Sequence, residues 1–214
     1  MRRGVKLSVR IKKSNMNEKE IITFLKMNIE PIVDDIYGCI YRASVVLRDD
    51  VIIPCVKFSC ADTYIDLAIR RFEEEKENKI FLNNEENPYR QIVSHFCIEH
   101  NIIDSKKIVR IERSRYSFPI EILKQIRGET LMSWTGFVVK MRDGNYFNFG
   151  TAFSFSFFDL PENYNFSDIT EVINHSYIDS SGKIQNYRKA GLKNFSGTKI
   201  YREKDYFNCY LKGL

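Results

Sequence analysis

Residues 145–157, NYFNFGTAFSFSF, constrain the fold more than any other stretch, because Phe147, Phe149, Thr151, Phe153, Phe155 and Phe157 recur at every second position. Side chains alternate across a strand, so this run predicts an aromatic face for the core. It leaves Asn148, Gly150, Ala152, Ser154 and Ser156 on a nearly smooth opposite face, which a helix, a second sheet or a partner chain can approach closely. Asp143-Gly144 just upstream is a hairpin turn signal, and the whole reads as a β-hairpin over residues 132–160.

A weaker echo lies earlier. Arg48-Asp49-Asp50 stands 94 positions before Arg142-Asp143-Gly144, within a second candidate hairpin over residues 40–58. Ala43, Val45 and Leu47 share one face there, and the run Val51-Ile52-Ile53, apolar on both faces, predicts a strand covered on both sides. Pro54 cannot donate to a ladder, so that strand lies at an edge or carries a bulge. Each hairpin precedes a helix-like segment, which suggests two ββα units, at 38–78 and 132–176, inside one domain spanning 1–214.

The remaining segments fill in the pattern. Residues 5–11 alternate as a strand; Asn15 or Asn17 caps a helix running to Ile29, before Pro31; Asp62 caps a helix over 63–78. Pro88 opens a helix, 107–115 is a strand, Phe118-Pro119 opens a short helix closed by Gly128, and Ser167 caps a helix over 168–175. Asp179 to Gly182 form a turn, and 198–202 and 206–211 are strand-like. The sum is an α+β fold with a mostly antiparallel sheet on the two hairpins and the helices mainly on one face.

Charge is polarised along the chain. The total is +5, but residues 1–13 carry net +6, residues 183–214 net +6 and the middle net −7. If the ends meet they form a basic patch for phosphate or an acidic partner surface; if not, they are two solvated tails. Arg2, Arg3 and Lys6 at one end and Arg188, Lys189, Lys193, Tyr201 and Arg202 at the other are the candidate partner- or nucleic-acid-binding residues. Their mixture of cations and rings is what a single-strand binder needs, although a closing β-segment with aromatics inward and charges outward accounts for it more simply.

Sites of chemistry are sparse. His95, Cys97 and His100 lie close, but His95 is five residues from His100 and points elsewhere on a helix, so helix packing is the better account and no metal is expected. Cys55 and Cys60 have an odd spacing that turns them to opposite faces of a strand. The chain contains no G-x-S-x-G, no P-loop and no dinucleotide fingerprint, and nothing points to a cofactor. Asp49, Asp50 and Asp143 fit turn chemistry.

No apolar run reaches the length of a membrane span, no leader pattern opens the chain, and five scattered cysteines suit reduced thiols, so a cytoplasmic protein without a membrane partner is expected. The abundance of Ile, Asn, Lys, Tyr and Phe is what AT-rich codons of a bacterium or phage yield. The functional expectation is a non-enzymatic accessory protein that binds a macromolecular partner, a protein in the first instance. The alternatives are a nucleic-acid binder using the basic ends and an enzyme whose site is assembled only in space, around His95, His100, His175 or the hairpin acids.

Overall fold

The computed structural model describes residues 14–48, 50–78, 101–187 and 198–214. The expected strand at 5–11, the helix opened by Pro88 and the His95/Cys97/His100 group lie outside them.

Helix α1 (Glu18–Asn28) starts where the sequence dictates. The Asn17 side chain accepts from the Glu20 N–H at 2.9 Å while Glu20 Oε2 accepts from the Asn17 N–H at 2.8 Å, a reciprocal capping box. One turn apart, Ile21 and Leu25 are fully buried, each worth roughly 1.5–3 kcal/mol of apolar burial. They pack on a five-stranded sheet of β1 (Ile32–Asp34), β2 (Gly38–Leu47), β3 (Ile52–Cys60), β4 (Ile108–Arg113) and the late strand β11 (Phe207–Leu211). β3 and β4 flank β2, and β11 closes the other side of β3.

A second, four-stranded sheet runs β10 (Ile200–Arg202), β6 (Tyr146–Thr151), β5 (Thr135–Met141), β7 (Ile169–Asn174). Its core holds Phe137, Phe149, Phe158 and Phe166 around Phe118, whose ring centre lies 4.0 Å from that of Phe166 and 5.0 Å from that of Phe158. Phe118 leads into the one-turn α3 (Ile120–Leu123). A separate hairpin of β8 (Ser176–Ile178) and β9 (Ile184–Asn186) follows β7 directly, at a His175 held in the left-handed region (φ 54°).

The architecture is α+β, with corrections to the expectation. Both sheets are mixed, because β11 runs parallel to β3 and β10 parallel to β6. The helices divide between faces of the first sheet: α1 covers Cys209 and Leu211, whereas Tyr64 of α2 (Ala61–Asn78) meets Tyr210, which alternates to the opposite face. The helix expected at 168–175 is a 3-10 turn (Phe166–Asp168), capped by Asn165 rather than Ser167, followed by β7. Its β-branched Ile169, Thr170, Val172 and Ile173 suit a ladder better than a helix. The strand beginning at Ile52 is not covered on both sides, since Val51 and Ile52 are exposed. A bulge does fall at Pro54, where the β2–β3 register shifts between Ala43 and Val45.

The aromatic alternation also stops early. β6 ends at Thr151, whose Oγ1 accepts from the N–H groups of Phe153 and Ser154 at 3.1 and 3.0 Å, giving the backbone a local alternative to the ladder. Phe147 and Phe149 join the core, Phe157 is buried beyond the break, and Phe153 is left 90 % exposed.

The first strands and turns of the two hairpins correspond position by position, while the bulge in β3 has no counterpart in β6. Leu47 N–H donates to Val51 O and Met141 N–H to Asn145 O, both at 2.8 Å, around left-handed Asp50 (φ 59°) and Gly144 (φ 90°). Moving from Ala43↔Arg113 to Leu47↔Ile108 reproduces the pairs from Phe137↔Asn174 to Met141↔Ile169, with a register slip at the same step in each. Both third strands follow a 3-10 turn capped by an Asx side chain, Asp104 and Asn165. The parallel additions match too: Asn208↔Lys57 in one sheet corresponds to Arg202↔Gly150 in the other. What recurs is a hairpin, a third antiparallel strand and a borrowed C-terminal strand; a helix directly follows the first hairpin, as α2, but not the second, so ββα is not the repeating unit.

The smooth face of β6 is filled by the chain itself. Gly136 and Gly150 are cross-strand partners; a Cβ on Gly150 would stand 2.1 Å from the Trp134 ring, and one on Gly136 2.5 Å from the Tyr187 ring. Asn148 on the same face accepts the Ile178 N–H at 2.7 Å and ties down the β8–β9 hairpin. Gly150→Ala is therefore expected to cost about 3 kcal/mol in urea denaturation and far less in a Trp134→Ala background. Equal costs in both backgrounds would contradict this packing.

Candidate functional site

The register correspondence makes one position stand out. Where the second sheet has the glycine pair, the first has Arg42 opposite Lys57, two cations on one face of adjacent strands. Like charges directly opposite destabilise a sheet, so the pair must be drawn apart. Lys57 leans 4.9 Å over the Tyr206 ring. Arg42 goes the other way and is only 4 % exposed.

The Arg42 guanidinium crosses from the first sheet to segments that flank the second. Nη2 donates to Phe118 O at 2.7 Å and Nη1 to Ser156 O at 3.3 Å. Nε has no hydrogen-bond partner, and no carboxylate pairs with the group within salt-bridge distance among the described residues. Burial pushes its pKa down to about 10, against an opposing pull from Glu30. The group is still charged at neutral pH, and the depression corresponds to a cost of roughly 3 kcal/mol to the folded state. Because the folded protein releases this proton first, stability from this group rises with pH only above about 10 and the cost is constant below.

Arg42 also lines an open pocket of about 550 Å³ between the end of α1, the end of β4, the start of α3 and the 3-10 turn before β7. The pocket is half apolar, from Ile29, Phe118, Pro119, Ile120 and Phe166. Its charges are Arg42, Arg113 and Arg115 against Glu30 and Glu121, a formal surplus of +1. Arg113 Nε donates to Asn28 O at 3.1 Å and Arg115 lies 5.3 Å from the Tyr116 ring centre, both exposed at the rim.

The hydroxyls around the pocket are committed as donors: Ser114 to Pro54 O at 2.6 Å, Ser117 to Ser114 O at 3.0 Å, Ser167 to Asn165 Oδ1 at 3.1 Å. They can accept, and the further side-chain donors of the lining are the arginines and the Asn165 amide, of which only Oδ1 is engaged. No histidine lines the pocket; His175 sits at the β7–β8 junction, its Nδ1 3.0 Å from Thr130 Oγ1. Cys55, next to Pro54, is buried and its thiol is pushed up to about 11 by that burial, so it is no nucleophile. The arrangement gathers three guanidinium groups against two carboxylates around an open pocket.

The residues expected from sequence lie elsewhere. Arg2, Arg3, Lys6, Arg188, Lys189 and Lys193 fall outside the described residues. Tyr201 and Arg202 are neighbours on β10 and face opposite ways: Tyr201 packs against Phe147 and Phe149 at 5.8 and 5.5 Å, while Arg202 pairs with Glu203 and stacks 4.7 Å over Trp134. Asp143 stays within its turn, accepting from the Asn145 N–H at 3.0 Å and the Tyr164 hydroxyl at 2.7 Å, which hold its carboxyl below the usual range. Arg42 was hidden in sequence inside an ordinary β-run; the available signal was its polar side chain between the apolar Tyr41 and Ala43, opposite a lysine across the hairpin. Among the described residues no His/Cys/Asp/Glu cluster could hold a metal, and no helix is long and apolar enough to cross a membrane.

For stability, the cost of burying the Arg42 charge and the worth of its two charge-assisted hydrogen bonds nearly offset. Arg42→Met is expected to shift stability by less than about 2 kcal/mol in urea denaturation. Arg42→Glu, which sets a carboxylate against two carbonyl oxygens, should cost more than about 4 kcal/mol.

Compared with family models, with curated proteins and with solved structures, the chain matches none.

Proposed function

We propose that this is a non-catalytic, cytosolic binding protein of a bacterium or phage that engages a macromolecular partner, another protein, through an acidic group entering the pocket floored by Arg42. One observation carries the reading: a nine-tenths-buried guanidinium, with no carboxylate within ion-pair distance among the described residues, lines an open pocket of formal charge +1 beside two exposed arginines. A buried cation is costly without a counter-charge, and a bound carboxylate supplies it. The exposed Arg113 and Arg115 at the rim support an approach steered by an acidic surface.

Affinity capture from an extract of the encoding cell tests this, with the wild-type protein and an Arg113→Glu/Arg115→Glu variant as parallel baits. A protein partner retained by the first and lost by the second is the expected result. Retention of the same proteins by both baits contradicts the reading. Binding of oligonucleotides with an affinity that falls steeply with salt would favour nucleic acid instead.

A further inference from the structure

We propose that Cys39 and Cys60 form a dithiol pair that hydrogen peroxide closes into a disulfide within the first sheet, with Cys60 as the attacking thiol. The site is separate from the pocket lined by Arg42 and does not depend on what that pocket binds.

The strand register brings the two cysteines together. Antiparallel pairs between β2 and β3 run Ala43↔Val56, Arg42↔Lys57 and Tyr41↔Phe58. Two places further along the same register Cys39 falls opposite Cys60. Both are still inside their strands there, Cys39 paired outward with Val33 of β1 and Cys60 with Leu211 of β11. Alternation sets them on one face of the sheet, the face that carries Tyr41 and Phe58. Directly opposite residues in antiparallel strands have Cα atoms roughly 4.5–5.5 Å apart, inside the roughly 4.4–6.8 Å that a disulfide spans. Next to the pair, the Tyr37 ring stacks on that of Tyr64 at 5.1 Å and holds the start of β2 against the start of α2.

The surroundings of the two thiols suit the reaction. Both are free; Cys39 is exposed and Cys60 is half-buried. Cys60 immediately precedes Ala61, the first residue of α2, where the N–H groups of the first turn lack partners within the helix. Burial opposes its ionisation, but hydrogen bonds from the Thr63 N–H and hydroxyl and from the Asp62 N–H outweigh burial and hold its thiol below the usual range. Cys55 and Cys209 are buried, and desolvation pushes their thiols up to about 11 and about 12.

The step balances with hydrogen peroxide as the oxidant. The Cys60 thiolate attacks one peroxide oxygen, the O–O bond breaks, and the leaving hydroxide takes a proton to become water. Cys39 Sγ then attacks the Cys60 sulfenic acid, the S–O bond breaks, and the departing hydroxyl leaves as water with the Cys39 proton. Two thiols give up two electrons and peroxide is reduced to two waters. A small-molecule thiol such as glutathione reverses the bond by exchange.

The test treats the reduced full chain with one equivalent of hydrogen peroxide, alkylates it, digests it with trypsin and reads the peptides by mass spectrometry without reductant. Cleavage after Arg42 and Lys57 leaves Cys39, Cys55 and Cys60 in separate peptides. A Cys39–Cys60 link within one chain is expected, reversed by glutathione. In Cys39→Ser, where Cys60 has lost its partner, a dimedone adduct should appear on Cys60. Cys60→Ser keeps a good helix cap and should slow the oxidation of Cys39 at least tenfold. Oxidation that links a different pair, a link between two chains, or no link at all overturns the inference. So does a Cys39 that oxidises in Cys60→Ser as fast as Cys60 does in Cys39→Ser.

Discussion

The two sheets of this protein are joined across a polar seam, and the Arg42 guanidinium is its tie. A side chain on β2 reaches carbonyl oxygens on either flank of the second sheet, at Phe118 before α3 and at Ser156 after β6. Around it Ser44 and Ser114 both donate to Pro54 O, the carbonyl exposed by the bulge in β3. The apolar clusters stay separate, one under α1 and one around Phe118, so the seam with its hydrogen bonds lies between two cores. The pocket lined by Arg42 opens beside this seam.

The recurring register explains why the site occurs once. Both sheets are a hairpin with a third antiparallel strand on one side and a parallel C-terminal strand on the other, and β10 and β11 supply those last strands within a dozen residues of chain. At the equivalent cross-strand position one sheet has glycines, and the rings of Trp134 and Tyr187 close over them. The other has Arg42 and Lys57, of which Lys57 leans over the Tyr206 ring and Arg42 turns the opposite way, into the seam.

Legibility in the sequence followed the range of the interactions. The α1 cap, the two hairpins and their turns, the short helix after Phe118 and the strands near 108, 200 and 207 depend on neighbours a few positions away, and those were readable. β7 was mistaken for a helix because its edge-strand role depends on β5, more than thirty residues earlier, and the parallel strands depend on partners far off in sequence. Thr151 ended β6 through a side-chain bond that the Phe alternation masked. The site was least visible of all, since Arg42 gains its meaning from carbonyls 76 and 114 residues away.

The placement of the two sheets turns on one guanidinium. Arginine Nε–Hε correlations in a ¹⁵N-labelled sample observe it directly. A slowly exchanging Arg42 Hε signal is predicted, because the group is held between Phe118 O and Ser156 O and its Nε is closed to solvent. An Arg42 Hε that exchanges at the rate of an exposed arginine would show that this side chain does not tie the sheets.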